Sequence, residues 1–277
     1  MPPHFYPARL WRDMPSSAFQ ALPANTIAIL PVGAIEQHGP HLPVYVDSCI
    51  NEGLLSQALS EAPAELSVVA LPIQSVGKSD EHLAFPGTLS LPASVLTDLL
   101  LELGRSVRRA GIRRLVLLNS HGGQPQIMDI VARTLRVELG MFVVNAAWSK
   151  MGMPPGLFSA EECAHGIHGG EIETSLMLHL RPDLVDMAKA RNFVSLSKTM
   201  QADFDILTPE GKVGFGWQIQ DLNPEGACGN AAAADAERGK LVADHAAARF
   251  IALLHEVARY PVERIGAPAA ISQAATA

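Results

Sequence analysis

The chain has 277 residues, 48% of them hydrophobic, and 21 Lys+Arg against 28 Asp+Glu give it a formal net charge of -7. That length can bury a large core in one α/β domain, while the charge balance excludes the concentrated positive surface of a nucleic-acid groove. No stretch approaches the roughly 18 uncharged apolar residues of a membrane span, residues 1–11 lack the apolar run of a signal peptide, and Cys49, Cys163 and Cys228, without CxxC spacing, argue against disulfides and a thiolate zinc site; a cytoplasmic enzyme binding neither nucleic acid nor membrane is expected.

Residues 26–32 (TIAILPV) form a continuous apolar run, as a strand covered on both faces should, ending at Gly33 just before Glu36-Gln37-His38-Gly39-Pro40-His41. Asp47 then heads a helix whose inner stripe is Ile50, Leu54, Leu55, Ala58 and Leu59. Residues 66–73 read as a second strand, followed by a polar loop over 77–82 and the turn Phe85-Pro86-Gly87-Thr88. Val95, Leu99, Leu103 and Val107 predict a helix over 94–110 that Gly111 terminates. A strand over 114–118 delivers Asn119, Ser120 and His121 at its carboxyl end, before a helix over 127–139, a fourth strand over 141–146 and a helix over 173–180. Residues 195–229, rich in Pro and Gly, predict a long ordered loop that could act as a lid, and 231–257 a final amphipathic helix. The alternation predicts a three-layer α/β/α fold, a mainly parallel sheet flanked by helices, in a single domain over 1–264 with a flexible tail over 265–277. Ligands then gather at the carboxyl ends of the strands.

Carboxylates and imidazoles cluster at those ends. Glu36 and His38 project to one face of an extended segment, and Glu-x-His followed by Asp47 supplies a compact set of metal donors, although Asp47 would also serve as a plain helix cap. His121, directly after a buried strand, needs a hydrogen-bond or metal partner. In His168-Gly169-Gly170-Glu171-Ile172-Glu173 both acids fall in the first turn of a helix, where the dipole favours them. Glu173 is expected to point further inward than Glu171, and a buried carboxylate needs a cation. His41, His82, His165 and His179 are weaker candidates to line the site, His179 reading more as a core residue; His4, His245 and His255 read as surface or helix-face residues.

Together these motifs resemble the creatininase (creatinine amidohydrolase) family. The likeness runs from Pro31-Val32-Gly33-Ala34-Ile35-Glu36-Gln37-His38-Gly39-Pro40-His41 through Asp47, Gly77-x-Ser79-x-Glu81-His82, Phe85-Pro86-Gly87-Thr88, Asn119-x-His121-Gly122-Gly123 and His168-x-Gly170-x-x-Glu173-Thr174-Ser175 to Gly226-x-x-Gly229-Asn230. The resemblance implies an α/β/α protein with two divalent metal ions per chain, zinc first and manganese or iron as alternatives. It implies Glu36, His38, Asp47, His121 and Glu173 as metal ligands with Asp47 bridging, and His168 as proton donor to the leaving nitrogen. Glu171 joins His168 as a catalytic candidate, and Ser79, His82, Gly122 and Trp148 are candidates to face the substrate. The implied partner is a small-molecule amide, and the implied assembly a homo-oligomer, a hexamer by the family likeness.

Creatinine-cleaving members carry a glutamate two residues after the histidine matching His121, whereas this chain has Gly123 there; the His-Gly-Gly form is more like relatives that remove formyl groups or trim peptides. The expected function is a metal-dependent amidohydrolase, acting on a carbon–nitrogen bond other than a peptide bond, in a small amide (cyclic amides included) or formamide, through a metal-activated water. The alternatives are a metal-dependent peptidase acting on a modified peptide and a non-catalytic metal-binding protein. A phosphoesterase usually holds its phosphate with Arg or Lys near the metals, and the motif loops supply only Lys78.

Overall fold

A computed structural model of the chain describes residues 9–211 and 213–267. His4 and most of the expected tail over 265–277 lie outside the described residues. Four parallel strands, β1 (Ile27–Val32), β2 (Val68–Ala70), β3 (Arg114–Asn119) and β4 (Phe142–Ala147), form a sheet in the order β2-β1-β3-β4. In register, Ile27 pairs with both Val68 and Arg114, and Arg114 with Phe142. Every residue of β1 and β3 is buried, which is why residues 27–32 and 115–118 read as unbroken apolar runs. Ile27, Ile29, Val116 and Leu118 pack under α1 (Val46–Glu61), α5 (Glu171–Leu180) and α8 (Ala236–Arg259). Ala28, Leu30, Val32, Leu115 and Leu117 pack under α2 (Ala93–Arg109) and α3 (Pro125–Leu139). The fold is therefore the expected three-layer α/β/α arrangement, and among the described residues no helix is long and apolar enough to cross a membrane.

Several boundaries depart from expectation. The second strand shortens to three residues, since Pro72 has no N–H with which to continue the ladder. The last helix begins at Ala236, where the Asp235 carboxylate accepts the Arg238 N–H as a cap, and residues 231–233 form a separate 3-10 turn. The stretch over 195–229 is not one loop: it holds α6 (Leu196–Met200) and α7 (Ile219–Leu222) and ends in β6 (Gly229–Asn230), which pairs antiparallel with β5 (Asn192–Phe193). A short helix, α4 (Ala160–His165), capped by Ser159, was not expected either.

The strand order places the site. From β1 the chain passes through α1 to β2 on one side, whereas β3 lies on the other, so the loops leaving β1 and β3 diverge at the carboxyl ends of the two central strands. Open α/β sheets bind ligands at such a switch point.

Candidate metal centre

Glu36 and His38 leave the end of β1, Asp47 sits in the first turn of α1, His121 leaves β3, and Glu173 lies in the first turn of α5. The fold brings these five side chains together. His121 Nδ1 is 3.2 Å from Glu36 Oε1 and 3.9 Å from Asp47 Oδ2, and His38 Nε2 is 3.9 Å from Glu36 Oε1 and 3.8 Å from both Asp47 Oδ2 and Glu173 Oε2. Two donors bound about 2.1 Å from a common cation at a tetrahedral angle stand roughly 3.4 Å apart, so these separations suit donors converging on cations. Glu36 Oε2, His38 Nε2 and Asp47 Oδ2 are buried without a hydrogen-bond partner, a costly arrangement unless something else satisfies them. On both counts the residues fit a divalent metal.

Backbone carbonyls fix the imidazoles. His38 Nδ1–H donates to Glu36 O at 3.0 Å, His121 Nε2–H to Lys78 O at 2.8 Å and His168 Nε2–H to Gln37 O at 2.7 Å. Each ring thereby turns its other nitrogen toward the carboxylates, the arrangement by which a carbonyl orients a metal-binding histidine. The supports are themselves held: Asn119 Nδ2 donates to His121 O at 2.6 Å, and Gln124 Nε2 donates to Asn119 Oδ1 at 2.9 Å. Gly169, at φ 60°, makes a left-handed turn that lets its N–H donate to Glu173 Oε2 at 2.6 Å.

The electrostatics of the bare chain are those of crowded like charges. Burial, and then the charge on Glu36, push Asp47 well above the usual carboxylate range, and burial raises Glu173. Glu36 lies well below that range although burial opposes its ionisation, because His121 faces it; His121 lies well above the imidazole range for the reciprocal reason, again against burial. Burial takes His38 and His168 down to about 4 and His82 to about 2. Without a cation, then, Glu36 and His121 favour each other's charged form, while burial disfavours charge on Asp47, Glu173, His38 and His168.

The structure brings His168, His82 and Ser79 to the same cluster. His168 Nδ1 is 3.7 Å and His82 Nε2 3.5 Å from Glu36 Oε1, the His168 ring stacks between those of His38 (4.1 Å) and His82 (4.2 Å), and Ser79 Oγ is 3.4 Å from His121 Nε2. Gly122 borders open space, since a Cβ there would meet nothing within 4 Å. Three other candidates are placed elsewhere. His41 hydrogen-bonds Thr174 Oγ1 at 2.9 Å beside Phe193, and His165 hydrogen-bonds Ser197 Oγ at 2.8 Å. Glu171 is ion-paired with Arg238.

The two acids of that turn reverse the expected order of burial: the Glu171 side chain is 8% exposed and that of Glu173 26%. The cation a buried carboxylate needs is, for Glu171, the Arg238 guanidinium from α8, a partner 67 residues away that sequence could not announce. Trp148 lies in the core beneath the site, its indole against Phe250 and its Nε1–H donating to Asn51 Oδ1 at 3.1 Å. Trp148→Phe should accordingly lower stability by about 1 to 2 kcal/mol, since Asn51 would lose a buried donor, and leave KM unchanged. A raised KM with an unchanged urea midpoint would restore Trp148 to the substrate side.

Sequence reasoning missed Gln37 as a site residue. Its carbonyl holds His168, its Nε2 donates to Gly226 O at 2.6 Å, and Cys228 exchanges backbone hydrogen bonds with His168, so the segment after residue 195 is tied to the site. It also passed over Glu81, whose only signal was its place between Ser79 and His82.

Fold and site together define an α/β/α protein with a carboxylate–histidine centre at the switch point of its sheet. The creatininase family, described as creatinine amidohydrolase, matches residues 12–254, and this chain belongs to it. The chain is 34% identical over 178 residues to a mycofactocin precursor peptide peptidase of Mycolicibacterium smegmatis, covering 63% of this chain and 66% of that protein. It is 36% identical over 180 residues to a creatinine amidohydrolase of Pseudomonas putida, covering 59% of this chain and 67% of that protein. It thus spans about two thirds of the length of these curated relatives. A solved structure of a creatininase mutant of the Zn-Zn type matches with a TM-score of 0.73 at 25% identity, over 91% of this chain and 99% of that one.

Proposed function

We propose that this chain is a metal-dependent amidohydrolase that cleaves a carbon–nitrogen bond in a small amide or formamide. In this reading Glu36, His38, Asp47, His121 and Glu173 would hold two divalent ions, zinc first, with the Asp47 charge serving both. The observation that carries it is that three donor atoms of this cluster, Glu36 Oε2, His38 Nε2 and Asp47 Oδ2, are buried with no hydrogen-bond partner. Bound divalent ions would lower the pKa of a water toward about 7 and polarise the substrate carbonyl. The chain's own residues do the rest. His168, its Nε2–H committed to the Gln37 carbonyl, can take up and hand on a proton only at Nδ1, the atom that faces the cluster, and so serves the leaving nitrogen. Ser79 and His82 border the substrate, and the open flank at Gly122 admits it. The proposed assembly is a homo-oligomer, hexameric by the family likeness.

A second reading, trimming of a modified peptide, is favoured by the 34% identity to a protein named as a peptidase. One experiment separates the readings: metal content of protein purified without chelator, with turnover of creatinine, lactams, formamides and short peptides. About two ions per chain and turnover of any small amide support the amidohydrolase; turnover of peptides alone supports the peptidase. No bound metal, and no turnover after adding Zn, Mn or Fe, would overturn both.

A further inference from the structure

Gly123 is glycine for a reason its backbone does not supply. Its φ is outside the left-handed region, so any residue could adopt it, yet a Cβ there would overlap Glu81 Oε1 outright and lie 2.6 Å from His121 Nε2. Gly122 beside it would meet nothing. The space denied to a side chain at 123 is thus the space the Glu81 carboxylate fills.

That carboxylate shares its one imidazole with a second acid, Glu36. The Glu81 side chain is 13% exposed, with Oε1 3.2 Å from His121 Nε2, but the Nε2–H is directed at the Lys78 carbonyl. Lys78 Nζ, the nearby cation, pairs instead with Asp80 at 3.0 Å, and Ser90 also donates to Asp80. Glu36, Glu81 and His121 each offer a donor atom within 4.8 Å of the others. The one positive charge that His121 can carry is thus faced by two largely buried carboxylates, Glu36 and Glu81, and a further cation is needed to balance them.

We infer that Glu81 completes the donor set at the half of the centre formed by Glu36 and His121, and that Gly123 is kept small to admit it. The inference rests on the metal-centre reading given above. It makes the 3-10 turn over 80–82, and not only the loops leaving β1 and β3, a determinant of how tightly that half binds its ion.

The test is metal binding in the full chain. Protein stripped with chelator is titrated with Zn²⁺ by calorimetry and with Co²⁺ by visible absorption, as wild type, Glu81→Gln and Gly123→Ala. Wild type should bind two ions. Glu81→Gln should weaken one of them by at least about tenfold, the scale for removing a supporting group, leave the other unchanged and alter the Co²⁺ spectrum. Gly123→Ala, displacing the same carboxylate, should reproduce the loss, and the double variant should be no worse than either single one because the two act on one group. If Glu81→Gln fails to fold, Gly123→Ala decides. Two ions bound at wild-type affinity with an unchanged Co²⁺ spectrum in both variants would overturn this inference alone; no ions bound by wild type would overturn it together with the metal-centre reading.

Discussion

Asp47→Asn is expected to strip the chain of both ions and to reduce turnover by at least about a thousandfold, the upper scale for loss of one preorganised electrostatic group. Asp47 Oδ2 stands 3.8 Å from His38 Nε2 and 3.9 Å from His121 Nδ1, the only carboxylate oxygen besides Glu36 Oε1 that reaches both imidazoles among the described residues. It is fixed there by the first turn of α1 and has no hydrogen-bond partner of its own. The asparagine keeps the shape but removes the charge that two cations would share. The same change relieves crowding in the bare protein, where Asp47 is already forced toward its neutral form by burial and by Glu36. The metal-free variant should therefore unfold in urea no more easily than metal-free wild type, which separates a lost centre from a lost fold. A variant that retains two ions would sink the bridging role.

His168→Ala should do the reverse, keeping its metal while losing turnover by about a hundred- to ten-thousandfold, the usual worth of a positioned proton carrier. The ring is clamped from three directions. His38 and His82 stack on its faces, the Gln37 carbonyl takes Nε2–H, and Cys228 holds its backbone. All that precision is directed at one free atom, Nδ1, and none of the five proposed ligands depends on it for its own hydrogen bonds. Metal per chain measured beside kcat gives the answer: equal loss of both would make His168 a ligand.

What the sequence disclosed, it disclosed through local patterns. Residues 27–32 and 115–118 are covered on both faces by helices, so burial writes itself as an unbroken apolar run, and the residues just beyond each run lie at the site. Glu36, His38 and His121 were legible for that reason. Glu171 and Glu173 were legible as a pair but not in their division of labour, because the arginine that claims Glu171 arrives from α8. Trp148 comes directly after β4, as the site residues come after β1 and β3, yet β4 is an edge strand of the sheet, and the side chain turns down into the core. Glu81 stayed hidden because its meaning depends on a missing Cβ 42 positions later, a relation of volume that spacing does not encode.

The division between strand-rooted donors and a late segment tied to the site by hydrogen bonds has a bearing on inheritance. The groups proposed to hold metal issue from the middle of the sheet or from the first turns of α1 and α5, where a change disturbs the core. Residues 195–225 are joined to the site by the stretch that follows them, around Gly226 and Cys228, and supply none of the proposed donors. Descent in this family should then preserve the reagent and let the appetite wander. Two relatives match at nearly equal identity, one named for a peptide and one for creatinine, so the substrate is where members of this family part ways.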